Sequence, residues 1–270
     1  MRPFISLLSD FGPDNYLVGA MKSVIKKINP EADIIDLCHD ISPFSIVQAA
    51  FVLASAVPYS PTPTIFVAVV DPGVGSERRP LLAVGENHYY ILPDNGILTE
   101  VLSIDSISLV IELDQEHYML PRHAETFHGR DVFAPTAAWF SKTHDVSMFG
   151  EPIENYTVLE IPKPRPIQEN TLSGVVLFSD HFGNLVTNIP REQLDAMSEN
   201  HAGKTPLIRI GAHEIPGIKQ FYLQASKRGE PIALVGSLGY LEIAVRESNA
   251  RAALGSKPGD EIQLTWPSGA

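Results

Sequence analysis

The chain has one cysteine, Cys38, in 270 residues, which excludes an intramolecular disulfide and any cysteine-rich metal cluster. Cys38 closes the apolar run Ile34–Leu37 and reads as a buried, inert thiol. No apolar stretch approaches the ~20 residues of a membrane span. Phe4–Leu8 is too short for the apolar part of a signal segment, so a soluble, cytoplasmic protein is expected. Basic residues are scarce. Twenty Lys and Arg against 32 Asp and Glu give a net charge of −12, and basic residues run no longer than pairs such as Lys26-Lys27 and Arg78-Arg79. A phosphate backbone needs a concentrated basic footprint, so nucleic acid is not expected as a partner. The sequence also lacks internal repeats and low-complexity tracts.

The richest stretch is Thr64 to Arg79. Ile65 to Val70 has the length and β-branched content of a strand buried on both faces. It stops at Asp71, and Pro72-Gly73-Val74-Gly75 leads on to Arg78 and Arg79. A carboxylate thus stands at the carboxyl end of a buried strand, the edge at which open α/β sheets bind ligands. Asp-Pro-Gly is also ordinary turn chemistry, but the pattern recurs. Phe4–Leu8 ends in Ser9-Asp10-Phe11-Gly12, Tyr89–Leu92 in Pro93-Asp94-Asn95-Gly96, and Leu177-Phe178 in Asp180-His181-Phe182-Gly183-Asn184. Thr126-Phe127-His128-Gly129-Arg130-Asp131 lies between them.

The first half alternates strands and helices. After Phe4–Leu8, Asp14 or Asn15 can cap a helix with Leu17, Met21, Val24, Ile25 and Ile28 on one face. Ala32–Leu37 reads as a second strand, and Ser42-Pro43 opens a second helix carrying Ile46, Ala49, Ala50, Leu53 and Val57. This rhythm predicts an α/β domain over 1–160, with a mostly parallel sheet and flanking helices. Further strands are expected at Leu81–Val84, Tyr89–Leu92 and Ser108–Glu112, and a helix from Asp131 to Phe140. The stretch 161–171, which opens Ile-Pro-Lys-Pro-Arg-Pro, reads as a proline-rich linker. From 172 to 270, short apolar runs separated by Gly, Ser, Asn and Pro predict a smaller all-β, barrel-like domain. His117, His123, His128 and Asp131 crowd one region, but no spacing sets two ligands on one helix face, so no metal is expected.

Taken in order, the motifs at Asp10, Asp71 with Arg78, Asp94, His128, Asp180 and Gly236-Ser237-Leu238-Gly239-Tyr240 resemble the SAM hydroxide adenosyltransferases, adenosine-forming S-adenosylmethionine hydrolases related to fluorinase and chlorinase. The resemblance runs from near residue 5 to near residue 245. It implies two domains, a homotrimer with ligand between the N-terminal domain of one subunit and the C-terminal domain of its neighbour, S-adenosylmethionine as substrate and no cofactor.

It also implies roles. Asp71, Arg78 and His128 would activate water or hydroxide. A guanidinium can stabilise hydroxide without releasing its own proton, and an imidazole can donate a hydrogen bond or act as base. Arg78 is chosen over Arg79 by the family's seven-residue spacing; the residues alone do not separate the two. Asp10 would hold the ribose hydroxyls, Asp180 and Asn184 the methionine ammonium and carboxylate, and Ser237 the carboxylate too. Phe44 and Tyr222 would stack on ribose or adenine. The halogenases lack the Asp-Arg-His set, and fluorinase carries serine where Gly129 stands; Gly129 is expected to leave room for a water. The competing expectations are a halogenase of the same family and a non-catalytic binder of adenosine or S-adenosylmethionine.

Overall fold

The computed structural model describes residues 3–121, 125–201 and 203–267. The chain divides into two compact units, Met1–Leu159 and Glu160–Ala270.

In the first unit, β1 (Phe4–Ser9), β2 (Asp33–Cys38), β3 (Thr64–Val69), β4 (Pro80–Gly85), β5 (Tyr89–Pro93), β6 (Ile107–Leu113) and β7 (Gly150–Pro152) form one sheet in the order β2-β1-β3-β5-β4-β6-β7. Helix α1 (Tyr16–Ile28) is capped by Asn15, whose side chain accepts from Leu17 N–H. Helix α2 (Ile46–Ala56) is capped by Ser45, not opened by Ser42-Pro43 as expected. Phe44 takes a left-handed conformation, φ 67°, so the chain cannot become helical until it has passed that residue. Helix α3 (Ala134–Thr143) follows a π-helical turn, Gly129–Phe133, and so starts later than the sequence suggests.

The strand β3 shows why this unit is layered. Ile65, Val67 and Val69 join the core that holds Met21 and Ile25 of α1 and Ala134, Ala137 and Ala138 of α3. Phe66, Ala68 and Val70 join the opposite core, with Ala49 and Leu53 of α2. Period-two alternation along the apolar run 65–70 thus feeds two cores at once.

The sheet is mixed rather than mostly parallel. β1 pairs in parallel with β2 and β3, and β3 with β5. β4 is antiparallel to both β5 and β6, and β6 to β7. Only Glu86, Asn87 and His88 join β4 to β5, too few residues for the crossover that parallel pairing requires. Cys38 is half-buried rather than buried, because β2 is an edge strand with one neighbour.

The second unit is a barrel-like sheet with two helices, α4 (Arg191–Asn200) and α5 (Ala250–Leu254), so it is not all-β. Its strands are β8 (Arg165–Gln168), β9 (Thr171–Ser179), β10 (Leu185–Pro190), β11 (Leu207–Ile210), β12 (His213–Pro216), β13 (Ile218–Lys219), β14 (Pro231–Val235), β15 (Tyr240–Val245) and β16 (Glu261–Thr265). The order is β12-β11-β16-β9-β10-β15-β14-β13, with β8 pairing β9. The two terminal strands, β12 and β13, are consecutive in the chain with only Gly217 between them, at φ 69°, so the sheet curls back nearly onto itself. β8 lies inside the proline-rich stretch 161–171. Among the described residues, no helix is long and apolar enough to cross a membrane.

Candidate active site

β1 and β3 lie side by side in register, Leu8 opposite Ala68 and Ser9 opposite Val69. Asp10 and Asp71 therefore leave the same sheet edge from adjacent strands. The chain runs from β1 outward to β2 and then returns past β1 to β3, which makes this the topological switch point where α/β folds place their ligands. A cavity of about 320 Å³ opens there, lined by Asp10, Phe44, Asp71 and His128 among others.

The Asp10 loop is tied down from several sides. Ser9 Oγ meets His39 Nδ1 at 2.8 Å, His39 Nε2 meets Asp36 Oδ1 at 3.1 Å, and the His39 carbonyl accepts from Gly12 N–H. Asp10 Oδ2 itself accepts from Phe44 N–H at 2.8 Å. Phe44 is 71% exposed and is held in a conformation that a side-chain-bearing residue rarely adopts, with its amide turned to the carboxylate.

Asp71, Arg78 and His128 come together. Arg78 grips Asp71 bidentately: Nε donates to Oδ1 at 2.9 Å and Nη2 to Oδ2. The second Nη2 proton goes to His128 Nδ1 at 2.9 Å. All three side chains are more than nine-tenths buried, and the guanidinium lies over the Phe133 ring. Arginine is a donor only, so His128 Nδ1 must accept, and a neutral ring carries its proton on Nε2. That nitrogen faces Glu125 Oε2 at 3.3 Å. Three of five guanidinium protons are thus placed. Arg78 Nη1 is buried and, among the described residues, has no partner.

The two arginines separate by their carboxylates. Arg79 binds Asp94 and Asn155, while Asp94 also accepts from Thr157 N–H, which makes the Asp94 motif a brace. Gly129 lines the cavity, but a Cβ there would stand 3.1 Å from both Met21 Sδ and Phe127 Cε2. The missing side chain serves close packing, and no water-sized gap need be invoked. His117 packs on Tyr118 and Asp131 pairs with Arg130; His123 lies outside the described residues. Among those described, no three His, Cys, Asp or Glu side chains converge as a metal-holding group.

The remaining site residues lie in the second unit. Asp180 and Asn184 close one turn: Asn184 N–H and Nδ2 donate to the two Asp180 oxygens at 2.8 and 2.9 Å. One amide proton expected to face substrate is therefore already used. Tyr222 donates its hydroxyl to Glu242 Oε1 at 2.8 Å, and the residue is 45% exposed. Ser237 sits in the turn joining β14 to β15, beside Gly236, where a Cβ would meet Glu242 Oε2. Burial pushes the Glu242 carboxyl above its ordinary range; the Tyr222 hydrogen bond opposes this and the charge of Asp180 adds to it. Sequence reasoning passed over Glu125 and Glu242. Glu242 had a signal: a carboxylate inside the apolar run Tyr240–Val245, in a strand buried on both faces.

Residues 5–150 match the description SAM hydroxide adenosyltransferase N-terminal domain, and residues 174–263 match the corresponding C-terminal domain. Proteins named (R)-S-adenosyl-L-methionine hydrolase from Methanocaldococcus jannaschii and Thermus thermophilus are 34% and 35% identical. The alignments cover 97% and 98% of this chain and 95% and 100% of those proteins. A fluorinase from Actinopolyspora mzabensis is 24% identical over 98% of this chain and 97% of its own. The crystal structure of an uncharacterized conserved protein from Thermotoga maritima superposes with a TM-score of 0.86 at 34% identity, covering 97% of this chain and 99% of that one. With both halves matched in order and full-length relatives above 30% identity, the chain belongs to the SAM hydroxide adenosyltransferase family.

Proposed function

We propose that this protein hydrolyses S-adenosyl-L-methionine to adenosine and L-methionine. The observation that carries the reading is the buried, unpartnered Nη1 of Arg78, on a guanidinium whose other protons are committed to Asp71 and His128. A buried donor without an acceptor is costly, and hydroxide supplies an acceptor of the right charge. With His128 Nδ1 already accepting from Arg78, the site favours hydroxide held by arginine over proton removal by that ring nitrogen. The hydroxide oxygen forms a bond to the ribose 5′-carbon while the carbon–sulfur bond breaks. The electron pair stays on sulfur, so the sulfonium becomes the neutral thioether of methionine. The water's other proton has already passed to solvent. Holding the nucleophile in line supplies much of the acceleration.

In this reading Asp10 and Phe44 of the first unit hold the nucleoside; from the second unit Tyr222 stacks on it, and Asp180, Asn184 and Ser237 hold the amino-acid end. The active assembly is a homotrimer in which the second group comes from a neighbouring subunit. Light scattering at the mass of one chain would remove that part of the proposal. No cofactor takes part.

The test is incubation with each sulfonium epimer of S-adenosylmethionine, with and without chloride, followed by chromatography and mass analysis. The (R) epimer is included because the relatives' names specify it. Adenosine plus methionine is the expected result. A 5′-halogenated nucleoside would make the protein a halogenase, and intact ligand that co-purifies would make it a binder. Asp10→Ala is expected to weaken adenosine binding about 10- to 100-fold, the scale of losing hydrogen bonds to a charged group. Calorimetry showing full affinity would refute the ribose role.

A further inference from the structure

We infer that Glu125 is a positioning residue that sets the tautomer of His128, and through it the aim of Arg78; this rests on the hydrolase reading above. Glu125 stands three residues before His128, and its Oε2 meets His128 Nε2 at 3.3 Å. The opposite ring nitrogen meets Arg78 Nη2 at 2.9 Å. Both contacts hold together in only one neutral form. Arg78 can only donate and a carboxylate can only accept, so the proton must lie on Nε2 and the lone pair on Nδ1. The other tautomer would set a ring N–H against a guanidinium N–H and a ring lone pair against a carboxylate. Two repulsions would then replace two hydrogen bonds.

The imidazole is buried, with 7% of its side chain exposed, whereas Glu125 is 60% exposed. Glu125 thus meets the buried ring from the solvent side. Among the described residues, the charged groups around His128 are Arg78 and Asp71 from the loop after β3, Asp10 from the loop after β1, and Glu125 and the Arg130–Asp131 pair on its own segment. Asp71 is engaged by Arg78, Asp10 by Phe44 N–H and Asp131 by Arg130, and Glu125 is the acceptor described at Nε2. With Nδ1 accepting, Arg78 is held by two partners at once, Asp71 and His128, and Nη1 is the group left over for the nucleophile. Glu125 acts by keeping a ring in one protonation form, as an orienting carboxylate does for a ligand histidine.

The test uses the full chain labelled with ¹⁵N-histidine, the His128 signals being those lost in His128→Asn. In the wild type near pH 8, Nδ1 is expected to give an unprotonated signal and Nε2 a protonated one. Glu125→Ala should yield a mixture of tautomers and lower kcat about 10-fold or more, with KM within about twofold. Glu125→Gln, whose amide oxygen still accepts from Nε2–H, should restore the single tautomer and most of kcat. A wild-type proton on Nδ1, an unchanged tautomer in Glu125→Ala, or a Glu125→Gln variant as impaired as Glu125→Ala would each overturn the proposal. The tautomer is read without turnover. Wild type that fails to hydrolyse S-adenosylmethionine yet shows the expected signals would sink the hydrolase reading alone.

Discussion

Arg78→Ala is expected to reduce hydrolysis of S-adenosylmethionine by roughly 100-fold or more, the scale of losing one donor aimed at transition-state charge. Adenosine should still bind to the variant, because Asp10 and Phe44 come from other segments. The substitution also strands Asp71, whose side chain is only 5% exposed. Breaking such a buried pair costs about 3–5 kcal/mol of stability, so the variant must be assayed below its own melting transition. Arg78→Lys separates the two effects. It keeps a positive charge beside Asp71, but one ammonium cannot reproduce the planar fork that reaches Asp71, His128 and the nucleophile together. A well-folded Arg78→Lys protein with at least a 10-fold loss of kcat is the expected outcome, within the range of losing orientation rather than charge. Turnover within about threefold of wild type in both folded variants would remove arginine from the mechanism.

The largest effect outside the site is expected at Asp105, which is 1% exposed. Its carboxylate accepts from His88 N–H at 3.2 Å and from the Tyr90 hydroxyl at 2.8 Å, and also from both nitrogens of Asn87. Tyr90 is fully buried and stacks on Phe66, whose ring centroid is 5.4 Å away. Burial, then the hydrogen bond to Asp105, pushes the Tyr90 hydroxyl well above its usual range and keeps it a donor. Asp105→Ala leaves two buried donors unpaired at about 1–3 kcal/mol each, or ~2–6 kcal/mol together. Melting should fall by roughly 5–20 °C, with unchanged turnover per folded molecule. A transition within about 2 °C of wild type would show that the carboxylate is dispensable.

These two residues divide what was legible from what was not. Asp71 and the arginine pair after it were readable because a strand end is a local event: apolar alternation stops and a Pro-Gly turn begins. The same holds for Asp10 after β1 and Asp180 after β9. Asp105 carried no such signal, since its four donors come from a hairpin 15 to 18 residues earlier in the chain. The mostly parallel expectation failed for a related reason. Apolar runs announce strands, but the direction of β4 was set by a three-residue connection.

By itself, then, the sequence determined the strands β1 to β6 and the presence of α1 to α3 in the first unit, that two units exist, and which acids stand at the carboxyl edge of the first sheet. Those properties follow from hydrophobic periodicity and turn chemistry within a dozen residues. The tertiary structure decided which arginine serves Asp71, which nitrogen of His128 accepts, that Glu125 faces the other, and that Glu242 is buried against Tyr222. Each is a contact between side chains whose distance in space depends on packing. Arg78 and His128, 50 residues apart, meet only because β3 and the π-helical turn before α3 are packed against the same core.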